Sequence, residues 1–125
     1  MPISIASYFL DELTALDERA TVSLNEIPDL KTKVLDIIHR DGIVELATNA
    51  EHLLELLSDV KQLFEMLQKT IRKQQNNLKE SATIVVSSEL RNKQESIRNR
   101  MLEAEKNYLD IKYGCLDFLS RTVGH

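Results

Sequence analysis

The residues of this chain that could carry covalent or metal chemistry are few: one cysteine, Cys115, and three histidines, His39, His52 and His125. A thiol nucleophile needs a base within hydrogen-bond reach, and none of the three histidines has a context that suggests a triad. Cys115 falls between Ile111 and Phe118 at helical spacing, where a free cysteine serves as a small hydrophobe. Glu51-His52-Leu53-Leu54-Glu55 places His52 and Glu55 on one helical face, three residues apart. A zincin needs two histidines flanking the glutamate, and a di-iron bundle needs two Glu-x-x-His helices, so neither pattern is complete. A single cysteine leaves no disulfide framework and fits a reducing compartment. Three isolated glycines cannot build a phosphate-cradling loop. The expectation is therefore a non-enzymatic chain with no catalytic residue, no cofactor and no metal.

The chemistry that remains is association. From Ile43, alternate steps of three and four residues give Leu46, Ala50, Leu53, Leu57, Val60, Phe64, Leu67, Ile71, Gln74 and Leu78, nine of the ten apolar. Such a stripe is a seam for another helix. Leu54, Leu56 and Leu63 widen its first half, which suits a bundle rather than a single partner. After Met66 the outer residues turn to Lys, Arg, Gln and Asn, as in a thinner coiled coil. A second register follows: Leu90, Gln94, Ile97, Met101, Ala104, Tyr108, Ile111, Cys115 and Phe118. It is offset from the first by two residues, a rotation of about 200° on a straight helix. Two explanations stand: a turn between Ser81 and Ser88, or one long helix that changes partners there. Thr83-Ile84-Val85-Val86-Ser87-Ser88 is a poor helix interior, and Ser87 or Ser88 can cap a new helix. The turn is preferred. Centred near residue 84, it sets Gln74 opposite Gln94 and apolar residues opposite apolar ones. A polar pair in a seam lowers stability but fixes register.

These elements predict an all-α fold of long heptad-bearing helices, a helical hairpin or three-helix bundle with a coiled-coil extension. One helical domain spans residues 1–125, with helices at about 4–21, 28–40, 43–80 and 88–121. Ser4 or Ser7 caps the first helix, and Ile5, Phe9, Leu13, Leu16 and Ala20 share its apolar face, with Tyr8 beside them. Pro28 and the β-branched Thr21-Val22 predict a break at 22–27, and Asp41-Gly42 predicts a turn. Residues from Arg121 onward are expected to fray. Tyr8, Phe9, Tyr108, Tyr113 and Phe118 are expected to form a core where residues 1–20 and 105–120 come together, an exposed aromatic patch being the alternative.

Net charge is −4, unevenly spread. Residues 1–66 hold 13 acids and 5 bases, residues 67–125 hold 7 acids and 11 bases. Lys69, Arg72, Lys73, Lys79, Arg91, Lys93, Arg98 and Arg100 flank the proposed turn, yet no aromatics interleave with them and the chain is acidic, so nucleic acid is not the expected partner. No apolar stretch reaches the length of a membrane span, and Met1-Pro2-Ile3-Ser4 does not read as a secretory signal. An intracellular location, cytoplasmic or nuclear, is expected.

In length, helicity, heptads and lone cysteine the chain resembles, in class only, small coiled-coil subunits of multiprotein assemblies such as vesicle-tethering, kinetochore, lysosome-positioning and ciliary-transport complexes. The function expected is that of a coiled-coil subunit or scaffold that pairs helices with partner subunits or with a second copy. The alternatives are a helical chaperone or adaptor holding a partner's amphipathic segment and, lower, a regulatory bundle that binds a charged polymer through its basic stretch. The expected partner-binding seam is Leu53, Leu57, Val60, Phe64, Leu67, Ile71, Gln74 and Leu78, with Leu90, Ile97, Met101, Tyr108 and Ile111 from the second register.

Overall fold

A computed structural model describes residues 4–41, 44–80 and 86–123. They form three helices: α1 (Ile5–Asp41), α2 (Val44–Glu80) and α3 (Ser88–Val123), of 37, 37 and 36 residues. The first is capped by Ser4, whose Oγ accepts from the Ser7 N–H at 3.1 Å. The third is capped by Ser87, whose Oγ accepts from the Leu90 N–H at 3.2 Å. Each serine hydroxyl takes up an amide that has no partner inside the first turn. Glu89 and Arg121 sit in the first and last turns of α3, matching the helix dipole. The predicted turn at Asp41-Gly42 falls at the edge of the described residues, and Gly42 lies outside them.

Contacts between the helices fix their directions. Lys31 donates to Ser58 and Gln68 to Thr21, so α1 and α2 are antiparallel. Gln74 meets Gln94 while Leu53 packs against Gly114, so α2 and α3 are antiparallel too. The α1–α3 partners keep a near-constant separation, 86 residues for Arg19–Glu105, Glu12–Arg98 and Glu26–Lys112, the signature of parallel helices. The bundle runs up, down, up, and every helix packs on the other two. A single long helix is excluded, because α2 ends at Glu80 and α3 begins at Ser88 antiparallel to it; residues 81–85 of the predicted turn lie outside the described residues.

The predicted break at 22–27 does not occur: α1 is continuous through Pro28. A helix-interior proline removes one hydrogen bond and costs about 3 kcal/mol. Here the apolar phase runs unbroken across it. Ala20, Ser23, Ile27, Leu30, Val34 and Ile37 are all buried while Pro28 faces water. Burying an aliphatic side chain gains about 1.5–3 kcal/mol, so Ile27, Leu30 and Val34 together outweigh the proline. Thr21, expected to weaken the helix, instead donates its hydroxyl to the Asp17 carbonyl at 3.0 Å.

Other boundaries shift as well. Ile5 and Tyr8, placed on or beside the apolar face by the sequence, are exposed. The helix α3 continues past Arg121, and Thr122 is buried with its hydroxyl on the Phe118 and Leu119 carbonyls. The five aromatics do not gather into one end core. Parallel packing of α1 and α3 sets Tyr8 level with Gln94 and Tyr108 level with Val22, and Tyr8 and Tyr113 remain about two-thirds exposed, at 63% and 64%. Among the described residues no helix is long and apolar enough to cross a membrane.

Candidate functional site

The reactive side chains are dispersed. Cys115 is fully buried, and burial pushes its thiol above the ordinary value. His39, His52 and Glu55 are exposed on the outer surface, and His125 lies outside the described residues. Among the described residues no three His, Cys, Asp or Glu side chains come close enough to hold a metal ion.

The expected seam residues, by contrast, converge. Leu57, Val60, Phe64, Leu67, Ile71 and Leu78 of α2 and Ile97, Met101, Tyr108 and Ile111 of α3 are buried in one core with Leu13, Leu16 and Ile27 of α1. Leu53 and Leu90 are half-buried against it. Phe64 and Tyr108 meet edge to face, with ring centroids 6.0 Å apart at 80°. The seam is thus occupied by the chain's own helices, because α2 has a neighbour on each side.

A polar layer crosses this core. Gln74 and Gln94 are 2% and 1% exposed. The Gln74 Nε2 donates to the Leu90 carbonyl at 2.9 Å and, more weakly, to the Gln94 Oε1 at 3.3 Å. The Gln94 Nε2 donates to the Phe9 carbonyl at 3.1 Å and to the Glu12 carboxylate at 2.9 Å. Gln74 Oε1 is buried and has no hydrogen-bond partner among the described residues. The sequence placed these glutamines opposite one another. It did not show that Phe9 and Glu12 would close over them, so that three helices meet where the heptad surface thins.

Glu12 begins a row of charges along the α1–α3 boundary. It accepts both Arg98 hydrogen bonds at 2.8 Å, and those bonds hold its carboxyl below the usual value of 4.5. Seven residues on, Arg19 pairs with Glu105. Seven further, Glu26 accepts from the Tyr108 hydroxyl at 2.7 Å and from Lys112 at 2.9 Å. The Tyr108 bond, followed by that of Lys112, depresses the Glu26 carboxyl. Desolvation, joined by this carboxylate, pushes the Tyr108 hydroxyl well above its ordinary value.

Sequence reasoning missed a second apolar stripe. Leu102, Leu109 and Leu116 recur every seven residues on α3 and are 54%, 45% and 43% exposed, with Tyr113 beside them. Each leucine follows a core residue, Met101, Tyr108 or Cys115, so its direction is rotated by about 100° out of the core. Its signal was present as three leucines in heptad step, but the stronger core register one residue earlier masked it.

On another face a groove of about 260 Å³ between α2 and α3 is lined by Lys73, Lys93 and Arg100 with Thr70, Asn77 and Ser96, and Lys93 pairs with Glu89 at 3.5 Å. No family model, curated protein or solved structure matches this chain.

Proposed function

We propose that this chain is a non-enzymatic helical subunit of an intracellular multiprotein assembly, folded on its own three-helix core and joined to its partners by helix–helix pairing. The observation that carries this reading is the Leu102–Leu109–Leu116 stripe with Tyr113. A soluble surface scatters its apolar residues, whereas leucines in heptad step on one helix face present a seam. The seam expected on α2 is spent on internal packing, so pairing falls to the outer face of α3. The bundle serves as the frame that holds this face straight over about 21 Å, the rise of the fourteen residues between Leu102 and Leu116.

The test substitutes Leu109, which is half-exposed and free to accept a charge without entering the core. Leu109→Asp should leave helicity and the cooperative thermal melt of the purified chain unchanged. It should release the subunits that co-purify in fixed stoichiometry with the tagged chain from its native cells. Retention of a full set of partners by Leu109→Asp would sink the proposal, as would a wild-type chain that carries none.

A second reading is favoured by the cation-lined groove: regulation by a polyanion through residues 69–100. Lys73 and Arg100, which have no ion-pair partner among the described residues, attract phosphate-rich ligands together with the Glu89-paired Lys93. Inorganic polyphosphate is the probe; binding unchanged in a Lys73→Ala, Arg100→Ala variant would exclude it.

A further inference from the structure

The α2–α3 face carries its charges sorted by sign. Lys73 and Arg100 line its groove towards the end where α2 stops and α3 starts. Further along the same face a concavity of about 350 Å³ is lined by Leu63 of α2 and by Glu103, Lys106 and Asp110 of α3. Lys73 continues a row on α2 that begins with Asp59 and Met66 in heptad step, and residues seven apart lie on nearly the same side of a helix. Met66 is 58% exposed, and the charged side chains of both rows are exposed as well. Asp59, Lys73, Arg100, Glu103, Lys106 and Asp110 have no ion-pair partner among the described residues.

Each row inverts its sign about its own midpoint. On α2, Asp59 and Lys73 stand seven residues either side of Met66. On α3, Arg100 and Asp110 are centred on position 105, and Glu103 and Lys106 on nearly the same point. The contacts Gln74–Gln94 and Leu53–Gly114 set Met66 level with residues 101–102 of α3. The two midpoints therefore lie about 5 Å apart along the bundle, a mismatch that the flexible stems of Lys and Arg span. Such a surface is complementary to itself after a half-turn about an axis that crosses the helices.

We propose that the α2–α3 face docks a second copy of this chain in an antiparallel, two-fold symmetric dimer. Such an interface is isologous, so each contact is made twice. Asp59 meets the copy's Lys73, Arg100 meets the copy's Asp110, and Glu103 meets the copy's Lys106. Met66 lies near the axis against its own copy, where a flexible thioether fills an irregular gap. A parallel arrangement sets cationic end against cationic end and is rejected by the same charges. Exposed ion pairs contribute little singly, so the dimer is weak and loosens as salt rises. The face lies on the flank of α3 away from α1. It leaves the Leu102–Leu109–Leu116 stripe free, and the inference goes beyond the helix pairing proposed above.

The experiment follows the full chain by sedimentation equilibrium at low and high salt, with circular dichroism to report folding. The wild-type chain should dimerise at low salt and dissociate as salt rises. Asp59→Lys sets Lys against Lys at two symmetry-related points, and Lys73→Asp sets Asp against Asp. Each variant should weaken the dimer at least about tenfold. Mixing the two should restore association, because the mixed dimer pairs opposite charges at both points again. The double variant Asp59→Lys, Lys73→Asp should dimerise with itself. A wild-type chain that stays monomeric at low salt overturns the proposal. So do single variants that fold, stay monomeric and fail to associate on mixing, and so does a dimer that both variants retain. A dimer broken by Leu109→Asp but kept by Asp59→Lys would put self-association on the leucine stripe, refuting this face and leaving helix pairing intact.

Discussion

Two buried glutamines in one layer should respond unequally to the same substitution. Methionine matches glutamine in shape without its polar atoms. In Gln74→Met the lost interactions are a neutral hydrogen bond to the Leu90 carbonyl and a long one to Gln94. A neutral bond contributes about 1 kcal/mol net. The change also removes Gln74 Oε1, buried with no partner among the described residues, whose desolvation costs about 1–3 kcal/mol, and it adds apolar burial. It also takes away the donor to the buried Gln94 Oε1, so one unpartnered oxygen replaces another and Gln74→Met should stay within about 1 kcal/mol of neutral. Gln94→Met loses a bond to the ionised Glu12 and one to the Phe9 carbonyl, and leaves the Gln74 amide with one acceptor fewer. Bonds to charged groups contribute about 1.5–3 kcal/mol, so the net loss should be about 1–2 kcal/mol after the gain in apolar burial. Guanidinium unfolding of both variants and the double variant, at constant m-value, measures the difference. If Gln74→Met destabilises as much as Gln94→Met, the Oε1 has a partner after all and the reasoning fails. A lowered m-value for either variant would show instead that the layer holds a single packing arrangement in place.

Three further outcomes follow from the packing and the charges. Pro28→Ala restores a donor on an exposed turn of a continuous helix and should raise stability by about 1–3 kcal/mol, read as a higher Tm; no rise would mean that the helix gains its curvature from the proline and needs it. Glu12 and Glu26 are held below 4.5 by their partners. A carboxyl depressed in the fold stabilises above its unfolded value and loses that contribution as pH falls through the folded one. Stability should therefore drop as pH falls below about 4.5, and Glu12→Gln with Glu26→Gln should flatten that dependence in acid titrations followed by circular dichroism. Cys115, buried and with a raised thiol value, should react with a thiol reagent only as fast as the bundle opens; reaction at a free-thiol rate in native buffer would refute its place in the core.

What could be read from the chain follows from which signals are local and which depend on neighbours. The pairing of α2 with α3 was legible because two heptad registers and a matched polar pair constrain each other across a short turn. The continuity of α1 was not. Proline chemistry is local and argued for a break, whereas the burial of Ile27, Leu30 and Val34 that overrides it comes from α2 and α3. The full set of partners of the α2 stripe was not legible for a related reason. Leu57 and Phe64 announce that they need a helix, but periodicity carries no label saying whether that helix belongs to the same chain. Glu12 reaching Gln94 and Arg98 joins residues more than 80 positions apart, and no spacing rule relates them.

The row Glu12–Arg98, Arg19–Glu105 and Glu26–Lys112 alternates in sign from one rung to the next. An apolar heptad stripe looks the same to its neighbour after a slide of seven residues, so greasy packing alone tolerates a misalignment of about 10 Å. The charges do not. After one such slide Glu12 would face Glu105 and Arg19 would face Lys112. The sign pattern repeats only every fourteen residues, which doubles the distance α1 and α3 must slip before they find another plausible fit. For two parallel helices joined only through α2, the row works as a parity check on alignment: a misthreaded bundle could bury its leucines and still be rejected by its own electrostatics.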